Sequence, residues 1–290
     1  MTRIPLLIVS TVLLVPAISR AGDKEVYRIG IPKSAFRDVP PSLLSFAGMP
    51  FKDLMKSQTG LDGDVVLEPE ALEIAEMLES GKLQLGVFLG HEFAWARDKH
   101  PTLEPIVCTV PRPKEIQAFL LVRYDNKAQN LGDLKGCKLA LATTTRDHAR
   151  MFLEKKRSVE MTEGAFCSTE KAPTVHDAIN KVIEGDADVT VADQAAWNYF
   201  QKLYPGASGN LRVLAKSEVF PPTVIAFKKG SLDDAVIKKV REGLLTAHET
   251  SKVAKLLNLI KVEKFDQVPG GYDETLKECL KAYPAPPGVK

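Results

Sequence analysis

Short, nearly continuous apolar runs alternate along this chain with stretches whose apolar residues recur every three or four positions. The first kind suits a strand covered on both faces of a sheet, and the second an amphipathic helix lying against one. Val26 to Ile31 reads as a strand stopped by Pro32, Asp64 to Leu67 as a second, and Leu83 to Leu89 as a third. Between them, Phe51 to Thr59 is amphipathic and ends at Gly60. Glu70 to Glu79 carries Leu72, Ala75 and Leu78 at helical spacing before Gly81. Strands and helices in alternation predict a doubly wound α/β unit.

A second unit repeats the layout. Ala118 to Arg123 and Lys138 to Ala142 read as strands, Leu131 to Leu134 as a short helical turn, Arg146 to Lys156 and Val175 to Ile183 as helices, and Asp188 to Val191 as a further strand. Glu79 to Phe88 and Ile183 to Ala192 share one pattern: a helix end, a Gly turn, then an apolar strand opening into a polar segment. That internal symmetry predicts two similar lobes. Val213 to Leu214 and Val224 to Phe227 read as strands returning across a hinge, followed by helices over Asp233 to His248, Ser251 to Ile260 and Tyr272 to Tyr283. The proline-bearing, polar segments Pro111 to Gln117 and Ser217 to Thr223 are the expected crossovers. The expected fold class is α/β, with two doubly wound lobes joined by a two-stranded hinge. Residues 22–113 and 218–290 form the first lobe and 114–217 the second, and the Pro-rich end from Ala285 frays.

The N-terminus predicts that this fold lies outside the cytoplasm. Met1 to Arg3 gives a short basic start, Ile4 to Ile18 is apolar apart from Ser10 and Thr11, and Ser19-Arg20-Ala21 sets small residues before a cut at Gly22. That is the layout of a cleavable secretory signal over residues 1–21. The apolar run is short for a membrane span and carries Pro5 and Pro16. No Cys follows the cut, so lipid attachment is not expected, and the mature chain is expected to be periplasmic or secreted.

With Arg3 and Arg20 removed, basic and acidic residues balance. A balanced charge argues against nucleic acid or an anionic membrane surface as partner, so any anion preference must be local. The cysteines, Cys108, Cys137, Cys167 and Cys279, are widely spaced and form no Cys-x-x-Cys, so neither a zinc site nor a redox motif is expected. Three pairings are open to them beside buried thiols. No cofactor or metal is expected.

Ligands of open α/β sheets gather beyond the C-terminal strand ends. After Lys138 to Ala142, Thr143-Thr144-Thr145 leads into a helix, and its hydroxyls and amides, aided by the helix dipole, suit a phosphate- or sulfate-like group. Arg146 adds a bidentate donor. One of the threonines could equally serve only as an N-cap. After Leu83 to Leu89, Gly90 permits close backbone approach, with His91 as a donor and Phe93 as a wall; core packing is the plainer reading for Phe93. Asp193 ends the Asp188 to Val191 strand, where it either caps the next helix or meets a cationic group of the ligand. His176 after Thr174 has the same ambiguity. After the first strand, Ser34 and Phe36 are placed as donor and stacking surface, and Arg37 is a weaker candidate.

In the order of its elements from Tyr27 to Pro284, the chain resembles the PhnD-like phosphate/phosphite/phosphonate-binding proteins. FKDLMKSQTG at 51–60, GVFLGHEFAW at 86–95, LGDLKGCKLALA at 131–142 and VHDAINKVIEGDADVTVAD at 175–193 carry the resemblance. It implies the type II periplasmic-binding-protein fold, a small anionic ligand, a monomer, and delivery to an ABC permease and ATPase in the inner membrane. It also implies that Thr143, Thr144 and Thr145 stand for the family's oxyanion donors, His176 for a ligand-contacting histidine, and Asp193 for an aspartate that meets an aminoalkyl ammonium. The chain departs from the family in having Arg146-Asp147-His148 after the hydroxyl run and Leu89-Gly90-His91 where an aromatic is common.

No Gly-x-Ser-x-Gly, His-Glu-x-x-His or P-loop pattern occurs. His91 with Glu92 and His176 with Asp177 are the acid/base pairs a hydrolase would need, but neighbours in sequence point apart. A solute receptor for an importer is therefore the leading expectation. A sensor feeding a membrane kinase, or an exported hydrolase, stands behind it.

Overall fold

The computed structural model describes residues 26–36, 52–53, 55–67, 69–161, 166, 168–259 and 261–286. The expected signal at 1–21, Phe51 and Leu54 of the helix expected at 51–59, Arg37 and Cys167 lie outside them. In chain order, strands β1 to β4 are Val26–Ile31, Asp62–Leu67, Leu85–Phe88 and Leu103–Pro111. Strands β5 to β9 are Ala118–Arg123, Lys138–Ala142, Ser168–Ala172, Val189–Asp193 and Leu211–Lys216, and β10 and β11 are Val224–Lys228 and Val262–Asp266. The principal helices are α1 (Ala71–Glu79), α2 (Gly90–Lys99), α3 (Asp147–Glu160), α4 (Val175–Glu184), α5 (Gln194–Leu203), α6 (Asp234–Thr246), α7 (Ser251–Leu259) and α8 (Tyr272–Ala282).

The strands form two sheets, ordered β11-β4-β10-β3-β1-β2 and β7-β6-β8-β5-β9. In the first, β1 runs parallel to β2 and β3, while β10 inserts antiparallel between β3 and β4 with Val224 opposite both Phe88 and Cys108. In the second, β6 runs parallel to β7 and β8, and β5 lies antiparallel to β8 and β9. The C-terminal strands β10 and β11 thus complete the sheet that the N-terminal strands begin.

Each sheet is covered on both faces because successive strand residues point to opposite sides. Val224 and Ala226 of β10 pack with Leu78, Phe88 and Phe93, whereas Ile225 and Phe227 pack with Leu85, Leu244 and Phe265. In the second sheet Leu120 and Val122 meet Phe152 and Leu153, and Leu121 meets Ile179 and Phe200 on the other side. The two doubly wound lobes are therefore built as the periodicity predicts. The matching turns before β3 and β8 hold Gly81 at φ +74° and Gly185 at φ +86°, the left-handed region that a side chain disfavours.

Two segments join the lobes, 111–117 and 217–223. They pair through Ile116 and Phe220, whose amide donates to the Ile116 carbonyl at 2.8 Å, and Gln117 Nε2 donates to the Ser217 carbonyl at 2.9 Å. Helix α8 braces the pair, with Tyr272 Oη donating to the Pro222 carbonyl at 3.0 Å and Tyr283 Oη to Glu218 Oε2 at 2.5 Å. Lys155 of α3 makes an ion pair with the same Glu218.

Residues 90–99 are helical where a polar connection is expected. Gly90 to Ala96 are buried in one run, so the segment lacks the single apolar face that marks an amphipathic helix. The Leu89 amide donates to Glu92 Oε2 at 3.1 Å and fixes the helix start. Cys108 and Cys279 are buried thiols, and burial raises both to about 12. No helix among the described residues is long and apolar enough to cross a membrane.

Candidate functional site

Four strand ends and the hinge converge on a cavity of about 210 Å³ between the lobes. After β1, a 3-10 turn over Lys33–Phe36 brings Ser34 and Phe36 to its wall. After β3, the first turn of α2 contributes Gly90 and His91; after β6, Arg146, Asp147 and His148 arrive at the start of α3. After β8, Asp193 and Gln194 open α5, and the hinge adds Gln117, Phe220 and Pro221. A wider, open cavity of about 1170 Å³ shares Ser34, Phe36, His91 and Asp147.

Gly90 is required by close approach of backbone to backbone, with the hinge rather than a ligand as its neighbour. A Cβ there would lie 2.0 Å from the Pro221 carbonyl oxygen. The contact seats α2 directly against the hinge. The Phe220 ring then lies between the two buried imidazoles, 6.1 Å from His91 and 5.3 Å from His148, with Tyr283 at 4.7 Å. His91 also meets Trp95 edge-on at 5.1 Å, and Trp95 Nε1 donates to the Tyr283 carbonyl at 2.8 Å. One aromatic cluster therefore links the first lobe, the hinge, the second lobe and α8.

The charge states follow from burial. Desolvation, reinforced by the nearby His148, pushes His91 down to about 3. Desolvation also dominates at His148, where Asp193 and the Gln117 backbone pull upward, Arg146 pulls downward, and the value is about 4. Both imidazoles are neutral near pH 7. Burial pushes the Glu92 carboxyl up to about 7, with Ser34 and the Leu89 amide opposing and Asp147 and Glu70 assisting. The Ser34 hydroxyl stands close by without closing a hydrogen bond to it.

Three polar atoms on the cavity wall, Ser34 Oγ, His148 Nε2 and Gln194 Oε1, are buried with no hydrogen-bond partner among the described residues. Because the Gln117 backbone engages the other nitrogen of the His148 ring, neutral His148 offers Nε2 as an acceptor. Gln194 Oε1 is an acceptor as well, while Ser34 can donate or accept. Unpaired buried groups of this kind cost about 1–3 kcal/mol each. Among the described residues no group of three His, Cys, Asp or Glu side chains could hold a metal ion.

The sequence candidates divide. Ser34, Phe36, His91, Arg146 and Asp193 line the cavity together. Asp193 also caps α5, accepting from the Ala196 amide at 2.9 Å. Thr143, Thr144 and Thr145 do not line it. The Thr143 hydroxyl donates to the Pro173 carbonyl at 2.9 Å, Thr145 is fully buried, and Arg150 ties the carbonyls of Ala142, Thr143 and Thr145. His176 packs against Phe200 and Tyr204 at the C-terminal end of α5, and Asp177 closes the capping box with Thr174. Phe93 is core, between Phe88 and Tyr272. The periodicity of α3 could have singled out His148, since His148, Ala149, Phe152 and Leu153 form its buried face. Gln194 and Glu92 carry no comparable signal.

Residues 41–269 match the family described as "ABC transporter, phosphonate, periplasmic substrate-binding protein". No curated protein matches the chain. Among solved structures, XAC2383 from Xanthomonas citri bound to ATP is similar, with 17% identity, a TM-score of 0.64, and coverage of 89% of this chain and 96% of that one. A binding protein component of an ABC phosphonate transporter from Pseudomonas aeruginosa has 17% identity, a TM-score of 0.59, and coverage of 89% and 86%. PhnD1 from Prochlorococcus marinus in complex with methylphosphonate has 13% identity, a TM-score of 0.61, and coverage of 89% and 98%. At such identities these likenesses carry the fold alone.

Proposed function

Because this chain belongs to the phosphonate-binding family of periplasmic ABC-transporter receptors, we propose that it captures a small phosphonate-like oxyanion in the inter-lobe cavity. The observation that carries the reading is the set of three unpartnered buried atoms, Ser34 Oγ, His148 Nε2 and Gln194 Oε1, lining one cavity from both lobes. Arg146 lies close enough to His148 to depress its protonation, and it neutralises the ligand's charge. Since two of the three open atoms are acceptors, the ligand presents a donor to them. A monoprotonated phosphonate donates its one P–OH proton to one of them, leaving its other oxygens for Ser34 and Arg146. Exported by its signal, the monomer closes on the ligand and presents both lobes to the permease and ATPase of the transporter.

Calorimetry of the purified protein against methylphosphonate, phosphate, phosphite and methanesulfonate tests this. Phosphonate is expected to bind, and methanesulfonate, which lacks the acidic hydroxyl, at least ten-fold more weakly. Equal binding of the sulfonate would remove the shared proton from the account. Absence of binding by every oxyanion, with no ligand-induced rise in Tm, would remove the function.

A further inference from the structure

The alternation of side chains across the first sheet gives the cavity a second, chemically different end. Val87 on β3, Ile225 on β10 and Phe265 on β11 line the cavity and belong to the face that packs against α6 and α7. Leu257 of α7 and Val262 of β11 complete this recess. The helix bearing His91 packs on the opposite face of the same sheet, so the cavity passes over the sheet's edge from a polar wall to an apolar one. Arg112, Glu115 and Lys261, also on its lining, are exposed and form a rim.

Size limits what the apolar end can take. A cavity of about 210 Å³ holds about seven water-sized groups at roughly 30 Å³ each. Four are taken by the phosphorus and three oxygens of a phosphonate head, leaving room for about three carbons. A methyl group would leave most of the recess unfilled, and a charged tail would be stripped of water against Ile225, Leu257 and Phe265 without a buried counter-ion there.

Resting on the proposed function, we infer that the preferred ligand is an alkylphosphonate with an uncharged tail of about three carbons, its head at His148 and Gln194 and its tail in the recess formed by Val87, Ile225, Leu257, Val262 and Phe265. The head fixes orientation through the polar wall, and the tail supplies discrimination between phosphonates through buried area.

Calorimetry of the full chain against methyl-, ethyl-, propyl-, butyl- and hexylphosphonate, with 2-aminoethylphosphonate as the charged counterpart of propyl, tests the inference. Affinity is expected to rise roughly four-fold per methylene, the factor that about 0.8 kcal/mol represents, up to propyl, and to fall at hexyl. The binding heat capacity should become more negative along the rising part, and 2-aminoethylphosphonate should bind more weakly than propylphosphonate. Binding of methylphosphonate with affinity flat or falling as the tail grows, or tighter binding of the aminoethyl compound, overturns the inference and leaves the function standing. Failure of every phosphonate to bind overturns the functional reading on which it rests.

Discussion

Replacing Glu92 by Gln removes one side of a balance set up by the buried groups beside the cavity. His91 and His148 titrate near 3 and 4 when folded, against 6.5 as the ordinary value, so between those limits the unfolded chain binds more protons. Their contribution to stability is complete above pH 6.5 and is lost as pH falls toward 4 and then 3. Glu92 acts in the opposite sense. Its value of about 7 lies above the ordinary 4.5, so its contribution is complete below pH 4.5 and is lost as pH rises through 7. Between pH 8 and pH 5 the two histidines therefore remove stability, on the order of a few kcal/mol, and Glu92 adds a smaller amount in the opposite sense. The native chain should lose less over that interval than Glu92→Gln, in which the opposing group is gone. Urea unfolding at pH 8, 7, 6 and 5, followed by tryptophan fluorescence and far-UV circular dichroism, reads both slopes, provided the m-values agree. Equal acid sensitivity of the two proteins would show that Glu92 is not protonated in the folded chain, and the account of burial beside the cavity would be wrong.

Three further perturbations bear on the hinge and the anion. Gly90→Ala drives a Cβ into the Pro221 carbonyl oxygen, and the forced shift should cost about 3 kcal/mol, as overpacking does; a Tm unchanged by thermal melting would refute the close contact. Burial pushes the Glu218 carboxyl up, but Lys155 and Tyr283 outweigh it and hold it at about 2, so Tyr283→Phe should raise the Glu218 value measured by NMR titration and lower stability by about 1 kcal/mol, a charged hydrogen bond reduced for exposure. Arg146→Ala should weaken methylphosphonate at least ten-fold, the loss of a charge-assisted contact of about 1.5–3 kcal/mol. Undiminished affinity would move the anion away from Arg146.

Strands buried on both faces were the most legible part of the chain. β5 and β6 begin and end where their apolar runs do, because little in a covered strand competes with hydrophobicity. The edge strands β7, reading STEKA, and β11, reading VEKFD, have one neighbour each and too few apolar residues to stand out. β4 escaped because its apolar run is broken by Glu104 and Pro105. Helix α2 was hidden for the reverse reason, burial on every side. At the cavity, strand ends were the right places to look, yet side-chain direction at a strand-to-helix turn depends on one or two residues of register. The turn after β6 ties Thr143 to Pro173 and its carbonyls to Arg150, and it delivers Arg146 and His148 instead of the hydroxyl run. A carbonyl clamp from a residue on the following helix leaves no trace in local sequence.

The same unpartnered atoms that mark the cavity also say how occupancy couples to lobe closure. Ser34 belongs to the first lobe and His148 and Gln194 to the second, and all three line one cavity. Bringing the lobes together strips water from them, at about 1–3 kcal/mol for each group left without a partner. The aromatic contacts of Phe220 with His91 and His148 oppose that cost, each on the order of 1 kcal/mol. Three such groups cost about 3–9 kcal/mol and the two ring contacts return about 2 kcal/mol, so closure without a ligand is disfavoured. A ligand that hydrogen-bonds to these atoms offsets the desolvation cost only in the closed arrangement, and that differential is what shifts the population. An apolar lining without the unpaired atoms would close with or without ligand, and a receptor built so could not report to a permease that it is loaded. The buried polar wall is thus what makes closure conditional, and the neutral imidazoles keep that condition from being overridden by charge repulsion between the lobes.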